Sequence, residues 1–378
     1  MRTTGTYRPR LTRPSPPRCG RTARLTAVLA AAAVAATALA ACGSSSPSSA
    51  SSSSAAGGSS AGATVSASNA ASTKPAKVVS TGSGGVTLRV GDQAGTGAQS
   101  LLTAAGLLNK LPFKVSWSDF TSGPPMLQAL SAGDLDVGGV GDAPPVFAAA
   151  GGAKLAIVGA LANDPDSAAI VVPKNSPIHS ISQLKGKKIA VAQGSSADYH
   201  LLTVLNKAGL SVHDVTLEYL QPAEAQAALS SNAVDAWDVW SPFVEEAVHQ
   251  DGGRVLVNGQ GYGSNFSYTV ASTSAIANSN VAKEISEYLK VLDQAHTWAD
   301  THAAAWAKVW AQATGLPTTT MDAAAADDVQ HPIPVTASIT SAEQSLVDAF
   351  AKAGLIPSDY SFGKYVVTSF NSTVGGGQ

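Results

Sequence analysis

Five short stretches of this 378-residue chain combine glycine, serine or threonine, and proline in a way that suits the grip of an oxyanion. They are Gly91-Asp92-Gln93-Ala94-Gly95-Thr96-Gly97, Thr121-Ser122-Gly123-Pro124-Pro125, Gly141-Asp142-Ala143-Pro144-Pro145, Gln193-Gly194-Ser195-Ser196 and Trp240-Ser241-Pro242. Glycine lets the backbone approach a ligand closely, and proline at the first helical position presets the turn. Ser and Thr hydroxyls add neutral donors. Where such a turn opens a helix, the orphan N–H groups and the positive end of the dipole face the same point. Each turn is equally an ordinary capped helix start, because Ser, Asp and Gly are common caps. Five together leave both readings open.

The elements that must position these turns follow from the apolar pattern. Short apolar runs at 86–90, 113–117, 135–140, 155–160, 168–172, 188–192, 215–220 and 234–239 read as strands. Helical spacing appears at 98–108, 124–131, 197–208, 223–230 and 243–250, and the chain from 281 onward is mainly helical, most clearly at 281–311 and 341–352. Strands alternating with helices predict an α/β architecture with mostly parallel sheets. In such sheets a ligand sits beyond the carboxyl ends of the strands, where all five turns fall.

Other chemistries find little support. Gly95-Thr96-Gly97, with Asp119 further on, has the start of a dinucleotide fingerprint, but Ser100 stands where the third glycine belongs. The seven histidines, His179, His200, His213, His249, His296, His302 and His331, show no metal-ligand spacing and read as solvated or capping residues. No Gly-x-Ser-x-Gly elbow follows a strand. Both cysteines, Cys19 and Cys42, lie near the N-terminus, which removes a thiolate nucleophile and a structural metal cluster. The expectation is no catalytic residue, no metal and no cofactor.

The first 85 residues are of another kind. Residues 1–24 hold seven arginines and no acid, and an uncharged, alanine-rich stretch follows at 25–41. A basic segment, a short apolar core and small residues before a cut make a secretory signal. The stretch is shorter than the ~20 predominantly apolar residues of a spanning helix. Leu39-Ala40-Ala41-Cys42 resembles a bacterial lipobox, which makes 1–41 a lipoprotein signal peptide and Cys42 the lipidated N-terminus. Residues 43–85 are almost wholly Ser, Ala, Gly and Thr, with Lys74 and Lys77 the charged exceptions. From Cys42 to residue 85 the expectation is a disordered tether, with the folded part starting at Val86.

From there the residues resemble a known family. Trp117-Ser118-Asp119-Phe120-Thr121-Ser122-Gly123-Pro124-Pro125-Met126-Leu127-Gln128-Ala129-Leu130, Gly141-Asp142-Ala143-Pro144-Pro145, Leu184-Lys185-Gly186-Lys187-Lys188, Leu220-Gln221-Pro222-Ala223-Glu224-Ala225 and Val234-Asp235-Ala236-Trp237 are similar to the substrate-binding proteins of aliphatic-sulfonate ABC transporters. These belong to the wider nitrate, sulfonate and taurine family, and the similarity spans about residues 86–357. It implies a two-lobed, periplasmic-binding-protein-like type II fold, with residues 86–171 and 267–378 in lobe I and 172–266 in lobe II. A small organic anion would sit in the cleft between lobes, held by helix N-termini and neutral side chains. The ligand contacts so implied are Gln93, Ser122, Gly123, Pro124, Gly141, Asp142, Ala143, Gly194, Ser195, Ser196, Asp238, Trp240 and Tyr262, with Trp240 and Tyr262, backed by Phe120 and Tyr199, covering the organic tail. The resemblance also implies delivery to an ABC permease and a monomer, while the lipobox implies a lipid-anchored site outside the cell membrane and the near-zero net charge of −2 gives no electrostatic argument for a nucleic-acid partner. Taurine, nitrate or a thiamine pyrimidine precursor are alternative ligands, and a pyrimidine-precursor synthase is the rival of enzyme class.

The chain departs from the family at Asp92-Gln93, where an aromatic residue usually precedes the glutamine. It departs again at Gln193, where a lysine is usual, and at Trp240-Ser241-Pro242, where Trp-Asp-Pro is usual. Asp92 is expected to point away from a bound anion or to meet a cationic group of the ligand. Charge sharpens the question. Beyond Cys42 there are 17 basic residues against 26 acidic ones, a net of −9, and the only arginines are Arg89 and Arg254. Such a protein must hold an anion by local dipoles rather than by its overall field.

Overall fold

The computed structural model describes residues 77–79, 86–93, 97–327, 329–357 and 360–374. The signal-like stretch, Cys42 and all of the tether except 77–79 lie outside these residues. In chain order the first part runs β1 (Lys77–Val79), β2 (Thr87–Gln93), α1 (Ala98–Ala104), β3 (Lys114–Phe120), α2 (Gly123–Ala132), β4 (Val137–Gly141), α3 (Ala143–Ala150) and β5 (Leu155–Asn163). The middle part runs β6 (Ala168–Val172), β7 (Lys188–Val191), α4 (Ser196–Lys207), β8 (Thr216–Tyr219), α5 (Pro222–Ser230), β9 (Ala236–Trp240), α6 (Phe243–His249) and β10 (Arg254–Asn258). The last part runs β11 (Phe266–Ser272), α7 (Thr273–Ala277), α8 (Ser279–Ala299), α9 (Ala303–Thr314), α10 (Thr318–Asp327), β12 (Gln330–Ile333) and α11 (Ala337–Lys352).

The strands form two sheets. One has the order β1-β3-β2-β4-β11-β5-β12, the other β10-β6-β9-β7-β8. The chain crosses between them at 164–167 and again at 259–265, so β6 belongs to the second sheet. The expected boundary at residue 171 therefore falls one strand late, because the apolar run of β6 carries no mark of which sheet it joins. The tether boundary shifts as well, since Lys77–Val79 pairs antiparallel with β3 as an edge strand. Three residues paired only on one side leave too short a pattern to read from sequence.

The sheets are mixed rather than mostly parallel. Parallel pairing holds β2 to β3 and β4, and β7 to β8 and β9, whereas β11 and β12 run antiparallel to their neighbours, as do β6 and β10. Strands β5 and β6 flank the first crossing and β10 and β11 the second, where the chain returns to the sheet it has already built. Pro332 sits in β12 at the sheet's edge, where a missing N–H is tolerated.

Helices cover both faces of each sheet. On one face of the first sheet, Trp117, Tyr288, Leu292, Trp306 and Trp310 pack between the strands and α1, α8, α9 and α10. On the other, Met126, Leu127, Val146 and Phe350 join α2, α3 and α11 to the strands. The second sheet is sandwiched likewise, with α4 on one face and α5 and α6 on the other. The buried positions of α8, among them Val281, Ile285, Tyr288, Leu289, Leu292 and Ala295, recur at three- and four-residue spacing and make one apolar stripe. A Cβ at Gly91 would overlap the Met126 and Leu135 side chains, so that glycine is what lets α2 lie close on β2.

Candidate functional site

A cleft of about 420 Å³ opens beyond the carboxyl ends of β2, β4 and β9 and is lined from both sheets. It brings Gln93, Gly123, Gly141, Asp142, Ser195, Ser196 and Trp240 together from five separate parts of the chain. Six other expected contacts do not line it. Ser122 is fully buried, and Asp238 is buried against His200. Pro124, Ala143 and Gly194 belong to the turns but are not among the residues that line it. Tyr262 stands behind His200, its ring 6.1 Å away edge-on, with the Lys207 ammonium over its face. Of the aromatic residues expected to cover a ligand tail, only Trp240 reaches the cleft, while Phe120 and Tyr199 pack into the core of the first sheet.

The five turns are chemically unlike one another. The Asp92 carboxylate accepts the Ala98 N–H at 2.9 Å and the Gln99 N–H at 3.0 Å, which closes the N-terminus of α1. Asp92 lines the cleft as well, so its carboxylate occupies the head of α1 where an anion would otherwise sit. Burial pushes its pKa up to about 6 against the pull of those N–H groups. Asp142 does the same for α3, taking the Ala143 N–H at 2.8 Å and the hydroxyls of Ser264 and Ser196. At α6 the Ser241 hydroxyl is spent on Glu245. Pro124, Pro125, Pro144 and Pro145 further remove N–H groups from the first turns of α2 and α3.

Two helix heads remain open. The Gly123 N–H at α2 and the N–H groups of Ser196 and Ala197 at α4 have no partner among the described residues. They approach the cleft from opposite sheets. Around them the Gln93 amide is fixed by donating to the Gly139 carbonyl at 2.9 Å, and Ser195 caps α4. Asp198 accepts the Gly194 N–H at 2.9 Å, and burial pushes its pKa up to about 6. Neither arginine is available to grip an anion. Arg89 forks onto Asp136, and Arg254 donates to the carbonyls of Ile178 and Ser176. An oxyanion here would meet backbone N–H groups, amide and hydroxyl dipoles.

The two sheets are tied across the cleft. Thr121 and Ser122, after β3, both donate to Oε1 of Gln221 at the head of α5, each at 2.9 Å. Ser196 of α4 and Ser264 of the second crossing both reach Asp142 at the head of α3.

Sequence reasoning missed the second half of the wall. His200, expected to be solvated or capping, is 2% exposed and lines the cleft beside Ser196. His296 does too, with its pKa pushed down to about 4 by burial and then by His331. Leu101, Tyr288, Leu292 and Trp306 complete that side. The readable signal was the four-residue spacing of Tyr288, Leu292 and His296 on one helix face; nothing local shows that this face meets the turns.

Residues 83–314 match the NMT1-like family. The chain belongs to that family. A relative from Escherichia coli (strain K12), assigned as aliphatic sulfonates-binding, is 36% identical over 275 residues, covering 71% of this chain and 85% of that one. The taurine-binding periplasmic protein of the same organism is 33% identical over 149 residues, 39% of this chain and 45% of that one. Among solved structures, the alkanesulfonate-binding protein SsuA from Xanthomonas axonopodis pv. citri, bound to MOPS, is 33% identical with a TM-score of 0.70, covering 75% of this chain and 99% of that one. The periplasmic-binding-protein-like fold read from the sequence is therefore that of this NMT1-like chain.

Proposed function

We propose that the chain is an extracytoplasmic solute-binding lipoprotein that captures an aliphatic sulfonate and delivers it to an ABC permease. The observation that carries the reading is the pair of open helix heads, Gly123 at α2 and Ser196 at α4, facing one cleft from two sheets. They supply neutral donors for a sulfonate's oxygens. The relatives and solved structures named for sulfonate and alkanesulfonate binding support the same ligand class. The volume favours an organic anion over nitrate. At about 420 Å³ the cleft falls in the range of ~300–1,000 Å³ typical of organic-ligand sites, and a small inorganic ion would leave most of it empty.

The protein binds and releases its ligand unchanged, as a monomer held at the outer face of the cell membrane by Cys42. Titration calorimetry with alkanesulfonates, taurine, nitrate, sulfate and pyrimidine precursors tests the ligand class. Binding of a sulfonate that is recovered intact is expected, and no binding of any sulfonate would overturn the reading. Cys42→Ser tests the anchor separately. The variant should leave the membrane fraction, and retention there would rule out lipidation as the sole attachment.

A further inference from the structure

The cleft is larger than its anion-binding end. Beyond the open helix heads it continues as an arm between α1 and the C-terminal helices, walled by Leu101, Tyr288, Leu292, Trp306 and Ala325 and by His296. Tyr288, Leu292 and His296 stand four residues apart on α8, so they form one stripe about 12 Å long at 1.5 Å per residue. The stripe is apolar through most of its length. At its C-terminal end is an imidazole whose nitrogens have no hydrogen-bond partner among the described residues. With a pKa near 4 the ring is neutral at physiological pH, so it offers one donor and one acceptor without charge. His296 is half-buried, and Asp300 and Gln330 line the cleft with it, so that end of the arm is polar where the stretch beside Leu101 and Leu292 is apolar.

We propose that the organic part of the ligand runs along this arm, and that His296 reads a hydrogen-bonding group at its far end. The preferred substrate class is then a long-chain or bulky organosulfonate carrying a neutral polar group remote from the sulfonate, rather than a short alkanesulfonate. The inference rests on the sulfonate reading above and adds the identity of the tail. His296 and Trp306 become specificity-determining residues, one for the polar tip and one for the length.

Titration calorimetry on the full chain with 1-alkanesulfonates from methane- to decanesulfonate, plain and ω-hydroxylated, tests it. Affinity is expected to rise with chain length, by up to about fourfold per methylene that becomes buried, and to rise again with the ω-hydroxyl on the longer chains. His296→Leu should bring the affinity ratio of hydroxylated to plain chains down to one, and His296→Gln should restore part of it. Trp306→Ala should flatten the dependence on length, with thermal melts of each variant confirming the fold. Methanesulfonate binding as tightly as the long chains, or an ω-hydroxyl preference that survives His296→Leu, would overturn this inference while leaving sulfonate capture standing. Failure of every sulfonate, methanesulfonate included, would overturn both.

Discussion

His200 Nδ1 lies 2.9 Å from both carboxylate oxygens of Asp238, and its Nε2 lies 3.2 Å from the Asn258 carbonyl oxygen. A carboxylate and a carbonyl only accept, so both ring nitrogens donate and the ring is an imidazolium. Burial opposes that charge most strongly. The Asp238 charge and hydrogen bond, the Asn258 carbonyl and the more distant Asp142 charge together hold the pKa above 6.5. The ion pair fastens α4, whose head faces the cleft, to β9 and to the end of β10.

His200→Ala should therefore destabilise the protein by about 3–5 kcal/mol, since it leaves the Asp238 carboxylate buried and alone. Asp238→Asn in the same background should recover part of the loss. Urea unfolding of the single and double variants reads both numbers, and strict additivity of the two losses would show that the pair is not coupled. The sign with pH follows from the raised pKa. The stabilisation is complete below 6.5 and is lost as pH rises through the higher folded value.

Gly141, at the end of β4, faces the Ser196 side chain at the head of α4. A Cβ there would overlap the Ser196 hydroxyl across the cleft. Gly141→Ala should weaken sulfonate affinity by about tenfold or more, roughly 1.4 kcal/mol, by forcing the heads of α3 and α4 apart. Ser196→Gly in that background removes the clash and should regain part of the affinity. Calorimetry on the pair of variants decides, and an unchanged Gly141→Ala would mean that the sheets need not approach this closely.

The hydroxyls of Thr121 and Ser122 share one acceptor on the opposite sheet, Oε1 of Gln221. Gln221→Ala should raise the ligand dissociation rate, with a loss of about 1–3 kcal/mol in affinity for two hydrogen bonds. Ser122→Ala should cost about half as much, and adding it to Gln221→Ala should change little further. Stopped-flow release kinetics distinguish this from a general loss of fold, which would lower thermal stability by a similar amount in all three variants.

Glu343 is buried on α11, where the Tyr268 hydroxyl donates to its Oε2 at 2.9 Å and its Oε1 has no partner. Burial, with the Asp142 charge adding to it, holds this carboxyl well above its ordinary 4.5. The folded state then keeps a proton that the unfolded chain has released. Stability falls with rising pH from 4.5 up to the raised folded value, by about 1.4 kcal/mol per pH unit. Glu343→Gln should remove that slope, so thermal melts across this window should show a flatter dependence than in the wild type. An identical slope in both would place the titration elsewhere.

Much of this protein is legible locally. Glycines and prolines at strand ends mark Ser122-Gly123-Pro124 and Gly141-Asp142-Ala143 as helix openings, and the structure puts α2 and α3 there. Eight apolar runs lie on β2 to β9, and in β5, β6, β7 and β9 burial on two faces leaves a continuous apolar signal. The weak signals failed for stated reasons: β12 carries a proline, β1 has three residues, and no helix separates the return strands β10 and β11.

The sequence by itself determined the α/β elements and the turns that open helices at the strand ends. Tertiary structure decided which of those turns stay open. Asp92 and Asp142 fold back onto the heads of α1 and α3 through contacts one to seven residues away, whereas Gly123 and Ser196 are left facing each other's sheet. It also brought α8, with His296 on its inner face, against turns nearly two hundred residues earlier. Periodicity shows that a helix has a face to bury; only the packed fold shows what that face meets.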